Sequence, residues 1–391
     1  MVKVSEISMK TSSRSAVDPF IVMDVAQAAA RAEAAGRHIV HMEIGQPGSP
    51  APRAAHDALA QALGSGAPLG YTVALGLPDL RAGIARLYGD WYGVDLDPAR
   101  VIVTAGSSGA FVLAFTALFD TGARVGVSEP GYPSYRQILR ALAMTPVGVP
   151  THAAAGHRMG PGDVPTGLDG LIVASPANPT GTILDRAGLA GLVDTCAARG
   201  TALISDEIYH GLHFADRATS ALELTDDVIV VNSFSKYFCM TGWRVGWMVV
   251  PPDMVRTVER LAQNLFICPP HASQIAALGA LAGRAEAEKV RDTYAANRRL
   301  LLDGLPRAGF DRIAPPDGAF YLYADVSHLT GDSLSFARDI LDRAGVAVTP
   351  GLDFDPVRGH GSLRFSYAAA TADIREGLAR LTAYMAARGA A

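Results

Sequence analysis

The sequence has few cysteines, no long apolar run and no strong bias of charge. Only three of its 391 residues are cysteines, an odd number at wide spacing, which excludes a disulfide framework and is typical of a reducing compartment such as the cytoplasm. No apolar stretch of about 18 residues is uninterrupted, so no transmembrane helix is expected. With 34 Lys and Arg against 38 Asp and Glu, and no basic run, binding to nucleic acid or an anionic membrane is not expected. The ten histidines lack metal-site spacing, so no metal is expected either.

Short apolar runs between residues 101 and 250 each end in a polar or glycine-rich corner. They are Val101–Thr104, Arg124–Ser128, Leu171–Ala174, Ala202–Ser205, Val228–Val231 and Val245–Val250. Runs that are apolar on both faces are typical of parallel strands, and helical patterns lie between several of them. This alternation predicts an α/β domain with a mostly parallel sheet, in which ligands bind at the carboxyl ends of the strands.

The two ends of the chain follow other patterns. A charged helical stretch over 285–299 and strand patterns over Ala319–Ala324 and Ser362–Tyr367 predict a smaller α+β domain. Near the beginning, Asp18 and Pro19 predict the start of a helix that ends before Gly36, because Asp is a good N-cap and Pro a good first helical residue.

A lysine follows the buried run at 228–231, in the segment Ser233-Phe-Ser-Lys236. A lysine in such a place can act as a nucleophile when desolvation and nearby cations favour its neutral amine. Arg244, eight residues further on, offers a fixed cation to a phosphate. The alternative for this short pattern is a surface lysine beside a turn and an ordinary ion-paired arginine.

Three further corners carry polar side chains suited to a cofactor. Ser107 and Ser108 open a predicted helix, where free N–H groups and hydroxyls can face an anion, although a plain tight turn would look the same. Asp206 ends a strand and is a candidate partner for a protonated ring nitrogen. Tyr209 and Asn178 can each hydrogen-bond a phenolic oxygen. Taken singly, Asn178 also suits a turn and Asp206 a helix cap.

Taken together, these corners resemble the class I/II aminotransferases, which are fold-type I enzymes dependent on pyridoxal 5′-phosphate. The resemblance runs from Gly45 to Arg364, with the motifs in the family's order: IGQPG, YTVALGLPDLR, VTAGSSGAF, EPGYPSY, SPANPTG, SDEIY, SFSKYFCMTGWRVGW, PDGAFYLY and GSLRFSYA. It implies a large domain over 46–284 with a mostly parallel seven-stranded sheet flanked by helices. Residues 1–45 and 285–391 would form the smaller α+β domain.

The resemblance also implies a role for each cofactor-site residue. Lys236 would form a Schiff base with the cofactor's aldehyde and carry the proton of the transamination, while Asp206 would keep the pyridine nitrogen protonated. Tyr209 and Asn178 would bind the phenolic oxygen. The implied phosphate ligands are Ser107, Ser108, Ser233 or Ser235, and Arg244, with Tyr132 stacked on the ring and Tyr71 reaching the phosphate of a partner subunit.

The implied substrates are an L-α-amino acid and a 2-oxo acid, bound by a homodimer with active sites at its interface. Arg364 would hold the substrate α-carboxylate as a bidentate fork, with Gly45 and Asn178 nearby. Arg358, in a glycine-rich loop, is the rival candidate. Ser107 and Ser108 stand where some relatives that take acidic substrates have a lysine, which argues against a strict aspartate enzyme, and residues 262–270 are expected to line the side-chain pocket.

Three other functions fit parts of the same pattern. A β-carbon–sulfur lyase would need the same cofactor residues. The segment from Ser233 to Lys236 also fits the S-x-x-K motif of serine acyl hydrolases, but their later S-D-N and K-T-G elements do not follow it. The same fold serves as an effector-binding domain in some transcription regulators, for which the 43 residues before IGQPG are expected to be too few for a DNA-binding domain.

Overall fold

The computed structural model describes residues 9–389, and within them thirteen strands form three sheets. The strands are β1 (Val40–His41), β2 (Val101–Thr104), β3 (Arg124–Glu129), β4 (Thr145–Pro150), β5 (Gly170–Ala174), β6 (Ala202–Asp206), β7 (Ile229–Ser233), β8 (Gly246–Val249), β9 (Arg312–Ile313), β10 (Tyr321–Asp325), β11 (Val346–Ala347), β12 (Thr349–Pro350) and β13 (Ser362–Ser366). The central sheet has the order β2-β8-β7-β6-β5-β3-β4, and all of its pairings are parallel except the two made by β8. The expected α/β fold with a mostly parallel seven-stranded sheet is confirmed.

The same described residues contain eleven α-helices. They are α1 (Ile21–Ala34), α2 (Arg53–Gly64), α3 (Pro78–Tyr92), α4 (Gly106–Leu118), α5 (Pro133–Ala141), α6 (Arg186–Arg199), α7 (Val255–Leu265), α8 (His271–Ala282), α9 (Arg284–Gly304), α10 (Ser333–Ala344) and α11 (Thr371–Gly389). One apolar cluster contains Val103 and Leu171, while the cluster on the other face contains Ile102 and Ile172. Alternate strand residues thus enter opposite layers, which is why the strands are apolar on both faces.

Two smaller sheets lie outside the central sheet, and the two-stranded one joins the beginning of the chain to its end. β12, β13, β10 and β9 form an antiparallel sheet in that order, and β1 pairs in parallel with β11. The pairing of β1 with β11 brings residues 40–41 beside residues 346–347. The division into domains at residues 46 and 284 stays a prediction. No helix in residues 9–389 has the length and apolar character needed to span a membrane.

Helix α1 begins later than the sequence predicts. Its first residue is Ile21, and the Asp18 side chain instead accepts hydrogen bonds from Gln137 and Arg140. The free N–H groups at the helix start are bound by a distant carboxylate, because Asp353 accepts from Ile21 at 3.0 Å and from Val22 at 3.2 Å. This tertiary cap fixes the start of α1 against the C-terminal part of the chain.

Candidate active site

A cavity of about 290 Å³ lies at the carboxyl end of the central sheet. Its floor is formed by residues at or after the ends of β3, β5, β6 and β7, as expected for a ligand site in an open α/β sheet. The beginning of α1, the segment around Gly45 and strand β13 close it from the other side. The lining residues among those predicted are Gly45, Ser107, Ser108, Tyr132, Asn178, Asp206, Tyr209, Ser235, Lys236, Arg244 and Arg364.

Lys236 lies in this cavity three residues after the end of β7. Its Nζ donates a hydrogen bond to the Gly45 carbonyl at 2.6 Å. Burial lowers the pKa of Lys236 to about 8, and the positive charges of Arg364 and Arg244 act in the same direction. The amine therefore has a substantial neutral fraction near neutral pH, which a nucleophilic lysine needs.

Asp206 is the last residue of β6 and is almost fully buried. The Tyr135 hydroxyl donates to its Oδ2, and the Ile208 N–H donates to its Oδ1 at 3.0 Å. Burial raises the pKa of Asp206 to about 6, although both hydrogen bonds favour the carboxylate. Tyr135 was missed by the sequence analysis; the signal was its place three residues after Tyr132 at the start of α5, a spacing that puts two side chains on one helix face.

An anion can be held where α4 begins. Ser107 and Ser108 lie in its first turn, where no side chain caps the free N–H groups. Gly106 has φ +72°, and a Cβ there would overlap the Arg244 guanidinium, so only glycine lets the arginine approach this helix end. Ser235 lines the same region. The helix terminus, hydroxyls and cation together are suited to a phosphate.

Ser233 lies behind this region rather than in the cavity lining. Its hydroxyl donates to the Val245 carbonyl at 3.0 Å and lies 2.8 Å from the Ser235 hydroxyl. Ser235 lines the cavity and Ser233 does not. Which of the two serines binds a phosphate stays a prediction.

Arg364 points from β13 into the cavity and is 2% exposed. Its Nη1 donates to Asn178 Oδ1 at 2.9 Å, and Nη2 donates to the Glu43 carbonyl. The guanidinium lies between two rings, 4.3 Å from the centroid of Tyr321 and 4.7 Å from that of Phe354. Its Nε has no hydrogen-bond partner among residues 9–389, so a donor remains free. A carboxylate bound in the cavity could accept a hydrogen bond from this guanidinium, as the predicted role of Arg364 requires.

The rival arginine takes another place. Arg358 donates from Nε to Asp355 at 2.8 Å and from Nη1 to the Thr151 carbonyl at 3.1 Å. It does not line this cavity. These hydrogen bonds hold the Arg358 side chain away from the cavity, and 38% of it remains exposed to solvent.

The cavity also has an apolar wall that the sequence analysis missed. Phe20, Val22 and Met23 from the beginning of α1 line it together with Ile44. The expected stretch 262–270 does not line the cavity, because its last helical residue and the two that follow are exposed at the surface. The wall could not be seen in the sequence, since the Asp353 cap that places α1 there joins residues more than 300 positions apart.

Tyr71 is 83% exposed and also lies outside the cavity.

A second hydroxyl that the sequence analysis missed, that of Tyr321, lies 2.8 Å from the Tyr209 hydroxyl inside the cavity. The side chains present thus provide an amine of lowered pKa, a buried carboxylate, an anion site and a phenol in one cavity. This set fits a cofactor that carries an aldehyde, a basic ring nitrogen, a phosphate and a phenolic oxygen.

Comparison with known proteins agrees with this geometry. Residues 37–381 match the family described as aminotransferase class I and II. The chain is 46% identical over 385 residues to the valine–pyruvate aminotransferase of Mycobacterium tuberculosis, covering 96% of this chain and 98% of that protein. An aminotransferase structure from the same organism superposes with a TM-score of 0.95 at 45% identity, over 97% of this chain and all of that one. A Silicibacter pomeroyi structure provisionally named an aminotransferase is 64% identical with a TM-score of 0.92, over 97% and 100% of the two chains.

The chain therefore belongs to the class I and II aminotransferase family. It is an aminotransferase that depends on pyridoxal 5′-phosphate. The aminotransferase prediction is confirmed over the β-carbon–sulfur lyase. The serine acyl hydrolase and transcription-regulator alternatives are wrong, since the family match spans almost the whole chain.

Proposed function

We propose that this aminotransferase moves amino groups between aliphatic L-α-amino acids, with valine a preferred donor, and a short 2-oxo acid such as pyruvate. The observation that carries the proposal is the apolar wall beside the carboxylate fork. Asp353 binds the start of α1, and the next residue, Phe354, packs on the Arg364 guanidinium. An amino acid whose α-carboxylate is bound by Arg364 would therefore place its side chain near Phe20, Val22 and Met23. The name of the 46% identical relative supports the same choice of substrates.

An acidic side chain has no counter-charge in this arrangement. The cationic side chains among the described lining residues are Lys236, Arg244 and Arg364. Each already has a task, as the cofactor-binding amine, the phosphate ligand and the carboxylate fork. Burying a second carboxylate against the apolar wall would cost several kcal/mol without a partner.

The residues of this chain divide the work of transamination. Pyridoxal phosphate supplies an aldehyde that binds amines and a ring that withdraws electrons from the substrate Cα. Lys236 would hold the cofactor, and its neutral Nζ would accept the proton of the substrate Cα and return it later. Asp206 would keep a proton on the ring nitrogen, while Tyr209 and Asn178 would bind the phenolic oxygen. Tyr132 would pack on the ring, and Ser107, Ser108, Ser235 and Arg244 would bind the phosphate.

A donor screen tests the proposed substrate class. Each amino acid is mixed with the cofactor-loaded protein, the loss of the visible cofactor absorbance is timed, and the 2-oxo product is identified. We expect valine to react more than about tenfold faster than aspartate, because the wall lacks a partner for a second carboxylate. Aspartate faster than valine would contradict the proposal, and release of ammonia would indicate lyase chemistry.

A matched pair of variants sharpens the screen. Met23→Lys adds a cation to the apolar wall at a residue that is 54% exposed, so folding should tolerate it. It should move the preference toward aspartate. Met9→Lys makes the same change at an 86% exposed position outside the cavity and should leave the preference unchanged.

We further propose a homodimer in which Tyr71 completes the partner's phosphate site. An exposed apolar patch, formed by Tyr71, Val73, Leu265, Phe266 and Ile267, supports this. Its two segments are joined by hydrogen bonds from His271 to the Gly70 carbonyl at 2.8 Å and from Gln274 to Thr72 at 3.2 Å. Exposed apolar side chains on two segments held together in this way are typical of an interface between subunits.

The dimer can be tested by mixing two inactive variants. Tyr71→Phe should weaken cofactor affinity roughly 10- to 100-fold, the effect of losing one hydrogen bond to a charged group. Lys236→Ala lacks the catalytic amine. At a cofactor concentration that fills only the wild type, mixing the two should restore up to about a quarter of wild-type activity, since half the dimers would have one intact composite site. Mixing that restores nothing, or a fully active monomer by sedimentation, would contradict the proposal.

The cysteines bear on where the enzyme works. Cys196 and Cys239 are buried, and Cys268 is partly buried. All three are free thiols. Unpaired cysteines support our proposal that the enzyme acts in a reducing compartment such as the cytoplasm.

A further inference from the structure

The Tyr321 side chain contacts three parts of the active site from one buried position. Its ring is 1% exposed and packs under the Arg364 guanidinium at 4.3 Å. Its hydroxyl stands 2.8 Å from that of Tyr209. The same hydroxyl fills the space next to Gly45, where a Cβ would overlap it. Tyr321 is therefore held rigidly, with its polar end directed at Tyr209.

We propose that Tyr321 is a positioning residue that donates a hydrogen bond to the Tyr209 hydroxyl and thereby strengthens the hydrogen bond of Tyr209 to the cofactor's phenolic oxygen. The inference rests on the proposed role of Tyr209. It concerns a residue on β10, which belongs to the small antiparallel sheet, acting on one that follows β6 of the central sheet.

The direction of the Tyr321–Tyr209 hydrogen bond follows from counting protons. Each phenol has one proton to donate and oxygen lone pairs that accept. If Tyr209 donates its proton to the phenolic oxygen, it can only accept from Tyr321. Burial raises the pKa of both tyrosines, so both keep their protons. The result is a chain in which Tyr321 donates to Tyr209 and Tyr209 donates to the cofactor.

Such a chain makes Tyr209 a better donor. A hydroxyl that accepts one hydrogen bond is polarised and donates more strongly, an effect that a low-dielectric cavity enhances. The Lys236 nitrogen that is bonded to the cofactor can lose a proton as the pH rises. The phenolic oxygen then has more negative charge, because the positive charge beside it is gone. A stronger donor to that oxygen therefore favours the deprotonated form and lowers the pH at which the visible absorbance of the bound cofactor changes.

The test is a pH titration of that absorbance in four proteins: wild type, Tyr321→Phe, Tyr209→Phe and the double variant. Tyr321→Phe keeps the ring under Arg364 and removes only the hydroxyl. We expect the midpoint to rise by about half a pH unit to one unit, the effect of losing one neutral hydrogen bond. Tyr209→Phe should raise it further. The double variant should have the same midpoint as Tyr209→Phe, because the Tyr321 hydroxyl acts only through the Tyr209 hydroxyl.

Tyr323→Phe is the matched control. This tyrosine lies two residues further along β10 and is also buried, but it lines a different cavity from Tyr209, so the loss of its hydroxyl should not move the midpoint. An unchanged midpoint in Tyr321→Phe would overturn the proposal, as would an equal shift with and without the Tyr209 hydroxyl. If the wild type binds the cofactor but shows no pH-dependent visible band, the assignment of Lys236 fails, and the inference fails with it.

Discussion

Replacing Lys236 with alanine should abolish amino transfer while the protein stays folded. Loss of the proton carrier alone should cost about 10²- to 10⁴-fold in rate, and covalent attachment of the cofactor is lost as well. Because Lys236 lines the cavity without supporting the core, the unfolding midpoint should change little. Lys289→Ala, at an exposed position of α9, is the control and should retain full activity.

The attachment can be located directly. Borohydride treatment of the loaded protein should fix the cofactor on Lys236, one of only four lysines in the chain, and a peptide map that finds it on another lysine would refute the assignment. The pKa of Lys236, lowered to about 8 by burial, adds a pH dependence. The neutral fraction of the Lys236 amine increases as the pH rises through 8. Cofactor-free protein should therefore bind pyridoxal phosphate faster above pH 8 than below it.

The parts of the site that could be predicted from sequence are those set by local pattern. Lys236 and Asp206 each lie at or just after a strand that is apolar on both faces, and such strands end at one edge of a parallel sheet. Ser107 and Ser108 follow from the strand-to-helix corner in the same way. Local sequence patterns are therefore sufficient to predict that these four residues lie at one edge of the sheet.

The parts that could not be predicted depend on contacts between distant segments. Tyr321 and Tyr209 are 112 positions apart, and Tyr135 and Asp206 are 71 apart. No periodicity within one element encodes which buried hydroxyl meets which neighbour on another element. The start of α1 shows the same limit, because Asp18 suits an N-cap locally but the carboxylate that binds the helix start comes from Asp353.

Asp206→Asn should slow proton removal from the substrate by roughly 10²- to 10⁴-fold, the cost of breaking a buried ion pair. The carboxylate is the one anion described in the cavity lining, and it is held by Tyr135 and by the Ile208 N–H. A carboxylate favours a protonated ring nitrogen. The amide of asparagine has the same shape but offers a donor N–H₂ or a neutral oxygen, so it no longer favours the proton that makes the ring an electron sink.

A control variant distinguishes a loss of catalytic rate from a loss of stability. Asp355→Asn is the control, because Asp355 is equally buried but is paired with Arg358 outside the cavity. That variant should lose stability without a comparable loss of rate at saturating cofactor. Asp206→Asn should keep the cofactor, because Lys236, Arg244 and the serines at the start of α4 still bind it. Single-turnover measurement of proton removal, with an α-deuterated donor to confirm that this step is slow, gives the result directly. A rate within a fewfold of wild type would show that the negative charge of Asp206 is not what activates the ring.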